Sequence, residues 1–277
     1  MQVFAPRIAM FGEIIIKMTT IILISIQNLK NLKIMRTRNL FIFVIAILVL
    51  NSCIVKSLFP FYTKDTLSFD KRFLGTWKDN DEPNTQWIIA SVKDSYQEER
   101  KHDTVAPSPE MIEDYNKIKE GYYVIHKQKD ETGIFLAMPF RINNQLFLDF
   151  KPVTSSCDCC IDLICYHKIS THSLVKFDIL DDNSISIKWF SSDKMKSLFE
   201  NHKINIKHEK YDSEYLLTAA PEELQKFIAK YMDSNETEKW KTDVAYDLKR
   251  TGSSKQSFEY IKKLISGEEK LKGIDLN

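Results

Sequence analysis

Four thiols and two imidazoles fall within sixteen residues, as Cys157-Asp158-Cys159-Cys160, Cys165-Tyr166-His167 and His172. Soft thiolates with imidazoles fit a tetrahedral zinc site, and thiolates also suit Cu(I). The spacing is not the paired CxxC arrangement of common zinc modules. The competing chemistry is oxidation, because in an oxidising compartment four cysteines make two disulfides that staple one loop. Adjacent Cys159 and Cys160 would then pair outward rather than with each other. Both chemistries stay open, and the compartment decides which is favoured.

The fifth cysteine points to that compartment. Met35-Arg36-Thr37-Arg38-Asn39 opens a short positive segment, and Leu40 to Leu50 follow as an apolar run. That run has the length of a signal peptide and is short against the roughly 20 apolar residues of a membrane-spanning helix. Leu50-Asn51-Ser52-Cys53 then resembles a lipobox, the cleavage signal of bacterial lipoproteins. A small residue precedes the cut, and the thiol after it takes diacylglycerol. Asn51 departs from the usual small or β-branched residue. Two or three acyl chains hold a protein to a bilayer where one does not. We therefore expect cleavage before Cys53, lipidation of Cys53, and anchoring in the cell envelope. No Asp follows Cys53 directly, so the expected address is the outer membrane, facing the oxidising periplasm. There, disulfides among the other four cysteines are favoured over zinc. Residues 1–34 precede the natural start of a signal peptide and read as an over-extended gene start. The alternative is a genuine N-terminal membrane helix with Cys53 beside it.

Charge excludes other partners. The chain has 39 basic and 38 acidic residues. Residues 1–52 hold six basic residues and one acid, so the remainder has 33 against 37, a formal charge of −4. A mildly acidic body is not drawn to nucleic acid. Glycine is scarce, at 7 residues, and no glycine-rich phosphate loop is present.

The elements that must position these residues are mostly strands. Period-2 alternation marks Leu74–Trp77, Gln86–Val92, Gly121–Gln128, Thr132–Ile142, Gln145–Phe150, His172–Leu180 and Ile185–Trp189, then Ile204 with Ile206, and last Glu214–Thr218. Ser108-Pro109-Glu110 starts a helix to about Lys119, and a short helix covers Asp193–Asn201. Pro221-Glu222-Glu223 starts a stronger one, with Leu224, Phe227, Ile228 and Tyr231 on one face. The expected fold is mainly β, an antiparallel barrel or strongly curved sheet with a C-terminal helix packed outside. Residues 53–70 read as a lipidated tether, 71–250 as the β-domain with its helix, and 251–277 as a polar tail, with a weak helical signal over 258–265.

Several segments resemble a family of uncharacterised bacterial lipoproteins of the Bacteroidetes type. They are Ser57-Leu58-Phe59-Pro60-Phe61-Tyr62, Leu74-Gly75-Thr76-Trp77, Leu146-Phe147-Leu148-Asp149-Phe150, Thr171-His172-Ser173, His208-Glu209 and Leu217-Thr218-Ala219-Ala220-Pro221-Glu222-Glu223-Leu224-Gln225-Lys226-Phe227. The family implies no established activity. The chain departs from it in a longer segment at 95–120 and in the cysteine cluster. Gly75-x-Trp77 is also similar to the opening of lipocalin-like barrels, where the Trp closes the floor and the Gly permits a close turn.

No nucleophile–base or metal–base constellation points to an enzyme. His172 and His208 are expected to hydrogen-bond within or beside the barrel. Asp149 points away from Leu148 and Phe150, as a solvated or loop-pinning carboxylate. Trp87, Tyr122, Tyr123 and Phe135 are expected core that could instead line an apolar cavity. The leading expectation is a membrane-anchored envelope lipoprotein that binds a small apolar ligand and needs no cofactor. The competing one is a structural or accessory subunit with a solid barrel that docks an envelope protein. A third is metal binding through Cys157, Cys159, Cys160, Cys165, His167 and His172, with zinc as the cofactor.

Overall fold

The computed structural model describes residues 54–265, apart from 83, 103, 130, 154–168 and 212–213. Cys53, Cys157, Cys159, Cys160, Cys165 and His167 lie outside the described residues, as do the expected signal peptide and everything before it.

Among the described residues, eleven strands join one sheet. They are β1 (Lys56–Ser57), β2 (Gly75–Asp79), β3 (Thr85–Ser91), β4 (Tyr122–Gln128), β5 (Glu131–Ile142), β6 (Gln145–Pro152), β7 (His172–Asp181), β8 (Ser184–Trp189), β9 (His208–Tyr211), β10 (Glu214–Leu217) and β11 (Ala245–Gly252). Strands β2 to β8 run as an antiparallel meander, and β11 fits between β8 and β2. Pairing of β6 with β7 completes the ring, so eight strands close a lipocalin-like barrel. Closure leaves these strands no free edge to pair with another chain. Local chemistry sets the hairpins. Asn143 and Asn144, both at positive φ (46° and 67°), make the two-residue turn between β5 and β6, a conformation that Asn tolerates.

Among the described residues, five helices decorate the barrel: α1 (Val92–His102), α2 (Pro109–Ile118), α3 (Ser192–Glu200), α4 (Pro221–Asp233) and α5 (Ser254–Ile265). The Ser108 hydroxyl caps α2 by accepting from the Met111 N–H at 3.1 Å. Helix α4 buries Leu224, Phe227, Ile228 and Tyr231, the face that its spacing predicts. Each such side chain contributes about 1.5–3 kcal/mol of burial. They pack outside the barrel against Phe140, Phe147, Leu174 and Phe190, forming a second core beside the barrel interior.

Four expectations need correction. Residues 54–70 are not a tether: Ser57 pairs with both β7 and β10, and Phe61 is fully buried. The last strand is not the one at 214–218 but β11, whose charged outward face hides its inward residues Tyr246 and Leu248 from a search for alternation. Residues 254–265 are not a loose tail but α5, which sets Ile261 and Leu264 on Ile88, Ala90 and Ile125 of the barrel wall. Ile204 and Ile206 do not form a strand; they pack into the core beneath α3 and α4, and pairing starts at His208. Helix α1 had no sequence signal because its buried face is polar, with Ser95 and Glu98 nearly inaccessible.

Candidate functional site

The barrel interior is the natural place for a ligand, and its own rings occupy it. Every wall strand contributes one aromatic: Trp77, Trp87, Tyr122, Phe135, Phe150, Phe177, Trp189 and Tyr246, in strand order β2 to β8 and then β11. The rings meet across the lumen. Centroid distances are 5.1 Å for Phe150 with Trp189, 5.0 Å for Trp87 with Tyr246 and 5.9 Å for Trp189 with Tyr246. These are tilted or edge-on contacts, the favourable arrangement for such rings.

One end is plugged. The 3-10 turn Lys71–Phe73 lowers Phe73 into the barrel, 4.7 Å from Phe177 and 5.1 Å from Tyr122. Trp77 Nε1 donates to the Phe73 carbonyl at 3.0 Å. Arg250 covers Trp77 at 4.0 Å from the ring centroid, and donates to the carbonyls of Leu74 at 2.6 Å and Arg72 at 2.8 Å. Gly75 is required here. Its φ is +137°, and a Cβ would sit 2.9 Å from the Gly252 carbonyl oxygen. Toward the other end, the Trp87 and His126 rings meet at a tilt with centroids 4.3 Å apart, and Trp87 Nε1 and His126 Nε2 are buried without a hydrogen-bond partner among the described residues. Burial lowers the His126 pKa, against the pull of Glu82 and Asp79.

Outside the wall, β6 and β7 create a buried ionisable pair. Leu146, Leu148 and Phe150 point inward, so Phe147 and Asp149 point outward. Asp149 is not solvated there, because the 59–62 segment covers it and leaves it 1% exposed. His172 Nδ1 lies 2.8 Å and 3.1 Å from the two Asp149 oxygens, and the Phe61 N–H donates to the same carboxylate. The carboxylate thus pins both β7 and the incoming chain. Burial raises its pKa, opposed by His172, by the Phe61 N–H and by Lys151. Tyr62 is pushed up to about 12 by burial and by Asp149.

An Asp–His pair orients one imidazole nitrogen and leaves the other for a proton or a metal. Nearby Ser57 does not complete a nucleophile: its hydroxyl donates to the Leu217 carbonyl and accepts from the Phe59 N–H. Among the described residues no group of three or more His, Cys, Asp or Glu converges as a metal site. His172 is the one member of the cysteine-rich set that the structure places. The other five fall in the sequence between Pro152, the end of β6, and His172, the start of β7, outside the described residues. His208 is used locally, Nδ1 lying 2.8 Å from the Ile206 carbonyl, with its ring 3.9 Å from Phe199.

A groove on the outer face, with a volume of about 460 Å³, lies between α3, the 203–207 segment and α4. Leu198, Ile206, Phe227 and Tyr231 form its floor, and Lys207, Lys226 and Lys230 stand on its banks. The apolar α4 face was legible in the sequence. The groove was not, because its opposite bank comes from a segment with no regular structure.

Comparison with protein-family models, with curated proteins and with solved structures finds no match to the chain.

Proposed function

We propose that the chain is the precursor of a lipid-anchored envelope protein, cut before Cys53 and held at the outer membrane facing the periplasm. Its barrel serves as a solid scaffold that presents outer surfaces, as in an accessory subunit of an envelope assembly. The observation carrying the scaffold reading is the set of eight aromatic rings, one per wall strand, that lines the lumen, six of them buried and Phe135 and Tyr246 partly so. A container of the same fold leaves that volume open. The address rests on Leu50-Asn51-Ser52-Cys53 and its preceding apolar run. The resemblance to Bacteroidetes-type lipoproteins agrees with it. The start of the fold supports it too: Ile54 bridges to Ser191, and Lys56 and Ser57 are paired in the sheet. A lipid on Cys53 would therefore hold the domain close to the bilayer.

Mass spectrometry of protein purified from membranes tests the address. The expected N-terminus is diacylglyceryl-Cys53, and Cys53→Ala should release the protein from the membrane fraction. An intact 1–52 segment on the membrane-bound protein would sink the reading. Native mass spectrometry of the same sample tests the scaffold, with an apolar molecule retained inside the barrel as the contrary result.

A further inference from the structure

We infer that the groove between α3 and α4 binds a free single-chain amphiphile with an anionic head, of the medium-chain fatty-acid class. The floor is lined by the apolar side chains Leu198, Ile204, Ile206, Phe227 and Tyr231, of which Ile204 is only partly buried. An acyl chain needs such a surface, and a volume near 460 Å³ is on the scale of a small-molecule site rather than of a protein interface. The banks supply the charge. Lys226 and Lys230 lie one turn apart on α4, and Lys207 faces them from the other side. All three are exposed, with no carboxylate of the described residues within ion-pair distance. Like charges at this helical spacing oppose each other, so the arrangement gains from an anion placed among them.

The acids of the groove do not cancel this charge. Glu236 is already bound by Lys194 at 2.9 Å and by Lys203, and Glu223 turns back to the Ala220 N–H at the start of α4. Counting Lys203, Lys207, Lys226 and Lys230 against Glu223 and Glu236, the lining has a formal charge of +2. The rest of the expected mature chain is acidic overall, so the groove is a local exception. An apolar slot with converging ammonium groups at its rim suits a carboxylate-headed chain, and a neutral amphiphile leaves those groups unanswered.

The test uses the full chain reconstituted in phosphatidylcholine nanodiscs and a photoreactive twelve-carbon carboxylate. Crosslinked peptides, mapped by mass spectrometry, should centre on 203–207 and 221–233. Labelling there should exceed that by the matching neutral alcohol at least tenfold, and unlabelled laurate should suppress it. Lys226→Glu and Lys230→Glu should each reduce it several-fold. Both positions are exposed, and circular dichroism checks that the fold is kept. Equal labelling by acid and alcohol, or labelling elsewhere only, overturns the proposal. So does loss of labelling when phosphatidylglycerol replaces phosphatidylcholine, since membrane head groups would then be the occupant.

Discussion

The Arg250 guanidinium lies over the Trp77 ring, 4.0 Å from its centroid, and so ties the last barrel strand to the first. The two residues are 173 positions apart in the chain, yet together they seal one end of the barrel. Arg250 also donates to two carbonyls of the plugging turn. Arg250→Met keeps much of the apolar stem but loses the charge over the ring and all three carbonyl hydrogen bonds, including the one to Asp182. We expect it to lower stability by about 2–3 kcal/mol in urea unfolding. Arg250→Lys should recover only part, because a point charge cannot span all three acceptors. A loss below about 0.5 kcal/mol would show that the plug holds without it.

Burial and pairing give two carboxyl groups opposite pH signatures. Glu236 is held down to about 2 by its hydrogen bonds to Lys194 and Lys203. Its folded pKa lies below its unfolded one, so its contribution is present above the ordinary glutamate pKa and is lost as pH falls toward 2. Asp149 is raised by burial. Between its ordinary and raised values the folded chain keeps a proton that the unfolded chain releases, so its contribution declines as pH rises through that window. Thermal unfolding from pH 7 to pH 3 should show a shallower acid loss for Glu236→Gln than for the parent chain. Asp149→Asn should show a steeper one, since it removes a contribution that favours folding at acid pH. Parallel curves for all three proteins would contradict this assignment.

Helix α5 is part of the barrel's outer packing. Ile261 and Leu264 rest on Ile88, Ala90 and Ile125, and Lys262 reaches Glu98 of α1 at 3.0 Å. Ile261→Ala should lower stability by about 2–4 kcal/mol, as for a buried aliphatic truncation. Ending the chain after Gly252 should cost more and expose β3 to an apolar dye. Unchanged stability on truncation would mean that α5 is only loosely applied.

Truncating one ring of the lumen's aromatic lining tests how tightly the interior is packed. Phe150 is 1% exposed and touches Trp189 and Phe135. Phe150→Ala should lower stability by about 3–5 kcal/mol and create an apolar cavity that takes up benzene or xenon. Saturable uptake by the unmodified chain would instead reveal open space already present.

Local alternation and capping carried much of the architecture. Strands β2 to β8 each keep one apolar face, Ser108 caps α2, and the Leu224–Tyr231 spacing lays α4 on the outer wall, because these patterns depend on near neighbours alone. Gly75-x-Trp77 marked the barrel opening for the same reason. What sequence order does not carry is which distant segments meet. Strand β11 reads as polar because its outward face is solvated and its inward face includes Arg250, an arginine satisfied only by Trp77 and carbonyls of distant segments. Asp149 reads as a surface carboxylate until His172 and the Phe61 N–H cover it. The aromatic lining of the lumen and the outer groove likewise arise from closure of the ring and docking of α3 and α4. Periodicity along a chain reports which face of an element is apolar; only long-range contact decides what that face, or a charge beside it, comes to touch.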